Sequence, residues 1–368
     1  MTLGIYVHLP FCRVRCSYCP FAISTDHSLE TRYVAAIVAE IQRRTGAVSE
    51  VETVYFGGGT PSRMSIDGLE IIFAALRSLY RFSSDCEVTL EANPEDISEE
   101  LLESWKRLGV NRLSIGVQSF HDAELLPLGR VHGRAGALEA LDLARRSGLS
   151  FSLDLIAGLP NQTPDSYRVS LAEALKSGAG HLSVYLLDLE PGTSLEKHVS
   201  AGSVTLPDED TVRDLYFETV VAAAAKGVIQ YEVSNFAREG HQSRHNKRYW
   251  ARQEYVGFGV GAHSFLNERR VANGRDTELY ISKILNGESA QEFEEILGEP
   301  EIRRERILLG LRQTAGLRYS ELLELCGKEG EEWTTRGIAE GWLVGGRERV
   351  AFSTSGFLMS NDYISQLF

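Results

Sequence analysis

The sequence predicts an α/β fold, an open partial (βα)6 barrel followed by a small C-terminal α+β unit, and three observations carry that reading. Over the first three-quarters of the chain, short apolar or β-branched runs alternate with longer runs of helical period. About six such strand–helix units can be counted, where a closed barrel needs eight. Near residue 290 the pattern changes to a dense acidic stretch followed by helices and a hairpin signal. The expected division is residues 1–285 for the barrel and 286–368 for the smaller unit.

The strand runs are Ile5–His8, Val51–Phe56, Val88–Glu91, Arg112–Gly116, Phe151–Ile156 and His181–Leu186. Tyr33, Val34, Ile37, Val38 and Ile41 recur at steps of three and four, as do Leu69, Ile72, Phe73, Leu76 and Leu79. Each set gives a helix one buried face. Ser65 and Ser98 stand where side-chain oxygens cap helix N-termini, and Gly109 and Gly148 where left-handed stops end them. Such repetition implies a parallel sheet with right-handed crossovers. Farther on, Gln230–Ser234 and Val256–Leu266 read as strand-like, with the polar loop Asn235–Tyr249 between them. Glu292–Glu305 reads as an acid-rich approach to a helix at Ile307, Leu308 and Leu311, and Tyr319–Cys326 as another helix. Trp342–Ser353, with Gly345-Gly346 at its middle, reads as a hairpin. Helices followed by a hairpin suggest a winged-helix-like unit; the alternative is an extension packed on the barrel.

At 368 residues and 43% hydrophobic content, the chain can build one large core and a smaller second one. The net charge of -13, with no long basic run, argues against a nucleic-acid partner. The N-terminus has no basic region before an apolar stretch, so no signal peptide is expected. The apolar run Val220–Ala225 ends at Lys226, too short for an integral membrane segment. A reducing, cytoplasmic location is expected.

Three of the five cysteines, Cys12, Cys16 and Cys19, crowd into Pro10–Phe21 with the spacing Cys-x3-Cys-x2-Cys. A disulfide framework would spread pairs along a small secreted chain. The short loop instead follows the first strand, where barrel enzymes place chemistry, and closing it costs little chain entropy. Three thiolates can hold a [4Fe-4S] cluster while leaving one iron open. That iron can accept the amino and carboxylate groups of S-adenosylmethionine. The competing reading is a structural zinc site, a zinc-stabilised scaffold without redox chemistry. It needs a fourth ligand, such as His8 or a distant residue. Cys86 and Cys326 read as ordinary buried thiols.

The cysteine segment resembles the signature of the radical-SAM superfamily. The flanking Tyr6-Val7-His8-Leu9-Pro10-Phe11 is similar to the family of oxygen-independent coproporphyrinogen III oxidases and the HemW-type heme chaperones. The resemblance covers nearly the whole chain and implies a TIM-like radical-SAM barrel. It also implies a SAM pocket of Tyr6, Tyr18, Gly58, Gly59, Thr60, Glu91, Gln118, Arg130 and Asp154. Physically, the run Gly57-Gly58-Gly59 permits close backbone approach to a ligand. Glu91 and Asp154 can accept hydrogen bonds, and Arg130 can pair with a carboxylate. Each such charge-assisted bond contributes roughly 1.5–3 kcal/mol.

Within that family, the oxidases carry a further cysteine two residues past the third, where this chain has Phe21. They also carry a longer segment before the first strand. Arg244-His245-Asn246-Lys247-Arg248-Tyr249-Trp250 resembles the His-Asn-x-x-Tyr-Trp motif of the chaperones. The resemblance thus implies heme bound by His245, Asn246, Tyr249 and Trp250, with acceptor hemoproteins and a cytosolic electron donor as partners. Arg244, Lys247 and Arg248 would be available to propionates; His263 is a second candidate ligand, although its own segment reads better as holding a core histidine. The rival is a true oxidase that decarboxylates coproporphyrinogen III. On residues alone, the His245 segment reads rather as a barrel-closing loop, with His245 and Asn246 satisfying backbone groups and Tyr249 and Trp250 packed as core.

Overall fold

The computed structural model describes residues 2–44, 50–346 and 348–368. Six strands follow the expected order: β1 (Thr2–Leu9), β2 (Glu50–Gly58), β3 (Arg81–Ala92), β4 (Arg112–Gln118), β5 (Ser150–Ala157) and β6 (His181–Leu186). Each pairs in parallel with the next. The connections hold α1 (Glu30–Arg43), α2 (Ile66–Leu79), α3 (Glu99–Leu108), α4 (Asp122–Leu125), α5 (Gly133–Ser147) and α6 (Pro164–Lys176). After β6 come α7 (Ser194–Ser200) and α8 (Glu209–Ala224).

The anticipated apolar stripes do the packing. Tyr33, Ile37 and Ile41 of α1 and Leu69, Ile72, Phe73 and Leu76 of α2 are all at most 1% exposed. Full burial of such a side chain stabilises the fold by roughly 1.5–3 kcal/mol. The Ser65 and Ser98 hydroxyls accept from the N–H groups of Gly68 and Leu101 and so start α2 and α3. Gly109 and Gly148 stop α3 and α5 in the left-handed region.

The sheet is open. Beside β6 lie the antiparallel β8 and β7, formed by β7 (Ile229–Gln230) and β8 (Asn235–Ala237). Next in the chain is a short helix, α9 (Arg244–Trp250). The free edge of β1 takes up β9 (Tyr255–Phe258) in parallel. Then β10 (His263–Leu266), β11 (Arg269–Asn273) and, after α10 (Thr277–Leu285), β12 (Gln291–Ile296) extend that edge antiparallel. The resulting order is β12-β11-β10-β9-β1-β2-β3-β4-β5-β6-β8-β7, with β12 and β7 at opposite ends.

Four local expectations change here. The strand-like Gln230–Ser234 is split, with β7 and β8 on either side of a turn. The polar loop Asn235–Tyr249 contains β8 and most of α9, because Ser243 caps Asn246 N–H and Glu87 accepts from the N–H groups of Arg244 and His245. Val256–Leu266 breaks at Gly259, whose φ is +100° and whose Cβ would stand 2.6 Å from the His8 carbonyl oxygen. The acid-rich Gln291–Ile296 is an edge strand, its charges matched across the pair by Arg269–Glu294 and Arg270–Glu295. The large sheet therefore runs past residue 285.

The C-terminal unit contains α11 (Glu299–Leu311), β13 (Leu317–Arg318), α12 (Tyr319–Ala339), β14 (Leu343–Gly345), β15 (Arg349–Phe352), α13 (Thr354–Leu358) and α14 (Ser360–Ser365). The hairpin read around Gly345 is present as β14 and β15. Helix α12 is kinked at Gly327. Trp333, Phe352, Phe357 and Tyr363 form a second core, which Tyr216 of α8 joins to the barrel.

Candidate functional site

The loop after β1 carries the cysteines, and its shape is set by backbone bonds. Cys12 N–H donates to Ser24 O at 2.9 Å and Ser24 N–H to Pro10 O at 2.9 Å, closing the neck. Cys19 N–H donates to Cys16 O, turning the tip back. Ser17 fastens the tip to Leu128 and Pro127. His8 accepts from Tyr6 Oη at Nδ1 (3.1 Å) and donates from Nε2 to Ala22 O (2.8 Å). Burial lowers its pKa to about 4, so it is neutral. With both nitrogens engaged, His8 offers no fourth ligand to the thiols.

All three cysteines line one cavity of about 440 Å³ at the C-terminal ends of the strands. Tyr18, Gly58, Gly59, Thr60, Glu91, Gln118, Arg130 and Asp154 line it too. Eight of the nine expected SAM residues thus converge. Tyr6 does not reach this cavity. It lies lower in β1, stacks on Tyr55 and borders a neighbouring cavity.

The glycine run serves the protein as well as any ligand. Gly59 N–H donates to Leu9 O, and a Cβ at Gly59 would stand 2.5 Å from the Pro10 backbone. At Gly58 (φ +112°) a Cβ would meet the His8 ring. These residues press the cysteine loop onto β2, and Thr60 Oγ1 then donates to Cys12 Sγ at 3.3 Å.

Glu91 accepts from Tyr55 Oη at 2.8 Å and from Gly58 N–H at 3.1 Å. Burial outweighs these bonds and raises its pKa to about 7. Burial likewise raises Asp154 to about 6, against the opposing Ser183 hydroxyl. Arg130 donates to Asn93 Oδ1, to Gly116 O and, at 3.8 Å, to Cys16 Sγ. Asp154 Oδ1 and Arg130 Nε are buried and have no partner among the described residues. An acceptor and a donor left unpaired on one wall suit a ligand with both ammonium and carboxylate groups. Three soft thiols beside them suit an iron–sulfur cluster. Among the described residues, no three His, Cys, Asp or Glu side chains already stand as a closed metal-ion ligand set.

Tyr55, Asn93 and Tyr185 escaped the sequence reading. Asn93 bridges Arg130 and Thr60, and Tyr55 holds Glu91. Their signal was strand alternation: every second side chain at the strand ends faces inward.

The α9 residues present a different picture. His245 is buried, with Nδ1 2.8 Å from Thr53 Oγ1 and Nε2 2.8 Å from Tyr249 Oη. Its ring stacks on Tyr55, and burial lowers its pKa to about 3. Arg248 is buried and pairs with Glu52, Arg244 pairs with Asp85, and Lys247 bonds Gln242. The cations expected to face propionates are already engaged. Tyr249 is the α9 residue that reaches a cavity; Asn246 and Trp250 are half-buried outside it.

That second cavity, about 730 Å³, lies between the β9–β12 edge and the cysteine loop. Tyr6, Phe21, Tyr249, Tyr255, Phe265 and Phe293 contribute its aromatic wall. His263, Arg270 and Arg275 are also on it, and Phe21 borders both cavities.

Comparison with known proteins bears on the family and the fold. The radical SAM superfamily model matches residues 6–174. A heme chaperone HemW from Synechocystis is 37% identical, covering 88% of this chain and 81% of that protein. The Bacillus subtilis heme chaperone HemW is 35% identical over 97% of both chains. The mouse mitochondrial radical S-adenosyl methionine domain-containing protein 1 is 38% identical, covering 86% of this chain and 74% of its own. Among solved structures, the Escherichia coli coproporphyrinogen III oxidase HemN, a radical SAM enzyme, superposes with a TM-score of 0.86 at 22% identity, over 99% of this chain and 89% of that one. At that identity the likeness concerns the fold.

Proposed function

Because the chain belongs to the HemW family of radical-SAM proteins, we propose that it is a heme chaperone that takes up heme and passes it to acceptor hemoproteins. Family membership implies a [4Fe-4S] cluster and S-adenosylmethionine. The cluster, when bound, supplies single-electron reduction, with a cytosolic protein as donor. Cys12, Cys16 and Cys19 hold it. Tyr18, Gly58, Gly59, Thr60, Glu91, Gln118, Arg130 and Asp154 hold the adenosylmethionine, with Tyr6 packed behind them. Arg130, lacking a partner at Nε, takes the carboxylate, and Asp154 receives a donor from the ligand. No helix among the described residues is long and apolar enough to cross a membrane, and we assign the activity to the cytoplasm.

The observation that carries the chaperone reading over the oxidase is Phe21. It is 58% exposed at the rim of the cysteine cavity. A further thiol stands there in the oxidases that the sequence resembles. An exposed phenyl ring instead offers a flat apolar surface to a macrocycle. Around α9, Tyr249 contacts the cargo and His245 positions it through the Nε2···Oη bond. Asn246 and Trp250 complete the helix that presents them.

Transfer is the test. Anaerobically reconstituted protein, loaded with heme, is mixed with an apo-hemoprotein, and the acceptor's Soret band is followed. Heme retained and then delivered supports the proposal. Protoporphyrinogen formed from coproporphyrinogen III with adenosylmethionine consumed would replace it with the oxidase. Zinc without iron or sulfide would replace it with a scaffold.

A further inference from the structure

We propose, resting on the heme-chaperone reading, that the porphyrin sits in the 730 Å³ cavity at the β9–β12 edge, with His263 as the axial ligand to iron and Arg275 as a propionate partner. The argument begins with which imidazole is free. His245 has both ring nitrogens hydrogen-bonded, and so does His8, the other histidine on this cavity. Ligating iron through either would break an internal bond and leave its partner unsatisfied. His263 opens β10, is exposed, and has no hydrogen-bond or ion-pair partner among the described residues.

Shape and charge agree. The volume falls within the range of roughly 300–1,000 Å³ typical of cofactor sites. Tyr249 and Tyr255 meet edge to face at 4.6 Å on one side, and Phe265, Phe293 and Phe21 supply further ring faces. Three arginines border the space. Arg252 and Arg270 are already paired with Glu268, Glu295 and Glu305. Arg275 has no carboxylate partner among the described residues; it donates only to the Pro20 carbonyl. A dianionic macrocycle would find there an uncommitted guanidinium next to an uncommitted imidazole. Because Arg275 also bonds the loop that carries Cys19, the seat and the cysteine loop share a wall.

The test titrates cluster-loaded protein with ferric heme and, separately, with iron-free protoporphyrin, following the Soret band. The expected result for His263→Ala is loss of the imidazole-ligated spectrum and affinity for heme about tenfold weaker or more. Added imidazole restores the spectrum, and iron-free protoporphyrin still binds, which also shows that the variant is folded. Arg275→Ala weakens both porphyrins about tenfold, as expected for one charge-assisted bond. His245→Ala changes affinity but keeps the ligated spectrum. His263→Ala with wild-type spectrum and affinity overturns the placement. If His245→Ala alone erases ligation, the placement falls while the chaperone reading stands. If the unaltered protein takes up no heme, the chaperone reading falls first and carries this inference with it.

Discussion

The two cavities on either side of Phe21 are built in different ways. The cysteine cavity lies at the ends of parallel strands, sets three thiols among buried charged groups, and holds a carboxylate oxygen and a guanidinium nitrogen without partners among the described residues. The cavity at the β9–β12 edge is walled by aromatic rings, and its polar groups come from an antiparallel extension and one loop. The first suits a small zwitterion and a cluster, the second a broad flat molecule with acidic edges. A barrel left open at β1 makes this possible. Had it closed, the strands that line the second cavity would have no edge on which to add.

The sharpest way to break this contrast is to remove the thiolates. Replacing Cys12, Cys16 or Cys19 by serine should abolish the iron–sulfide chromophore, bringing iron per chain close to zero. Binding of iron-free protoporphyrin should persist, because no cysteine lines the second cavity. Loss of both together would mean that the cavities are one functional unit.

A smaller effect is expected at the foot of α9. Arg248 is held by Glu52 and by the carbonyls of Thr2 and Glu254, and its alkyl chain fills the space that Gly4 leaves open. Arg248→Ala should destabilise the fold by about 2 kcal/mol, since it takes the partner from the half-buried Glu52 carboxylate and a donor from the Thr2 and Glu254 carbonyls, the latter keeping the Gly4 N–H. Urea unfolding measures it. An unchanged midpoint would show that this cation is not structural, and would return it to the heme side.

A third effect, on pH dependence, concerns Glu91. Its native pKa of about 7, raised chiefly by burial, lies above the unfolded value of about 4.3. Between those values the native state holds more protons than the unfolded state. Stability of the ligand-free protein should therefore fall as pH rises from about 4 to about 7, and level off above. Glu91→Gln should lessen that slope in thermal melts, with Glu232, also raised by burial to about 7, and Asp154, raised to about 6, supplying what remains. Parallel curves for the variant and the unaltered protein would mean that Glu91 stays ionised in the folded state.

The sequence showed the cysteine cavity well because its parts lie at recognisable places. Cys12, Cys16 and Cys19 share one loop, while Gly59, Glu91 and Gln118 stand at or beside the ends of strands that periodicity reveals and Asp154 lies within another. Tyr6 stands on such a strand but one layer lower, where it meets Tyr55 instead of the cavity, a depth that periodicity does not reveal. The setting of His245 was hidden for another reason. Its motif was legible, but its surroundings depend on Thr53 and Glu87, each more than 150 residues away in the chain. Helix α9 itself was hidden in a polar stretch, since its start is fixed by the Glu87 carboxylate as well as by Ser243.

By itself, then, the sequence determined the parallel strand–helix core, the trio of thiols and the ring of polar strand ends. Ligands spaced within eight residues converge at little cost in chain entropy, and strand alternation assigns the rest. Tertiary structure alone decided that β9 to β12 would add to the open edge, that His245 would be sealed and His263 left free. A wall drawn from residues 21, 249, 263, 275 and 293 has no linear signature. Which side chains face it is set by strand register and long-range pairing, where a shift of one residue turns every side chain to the other face.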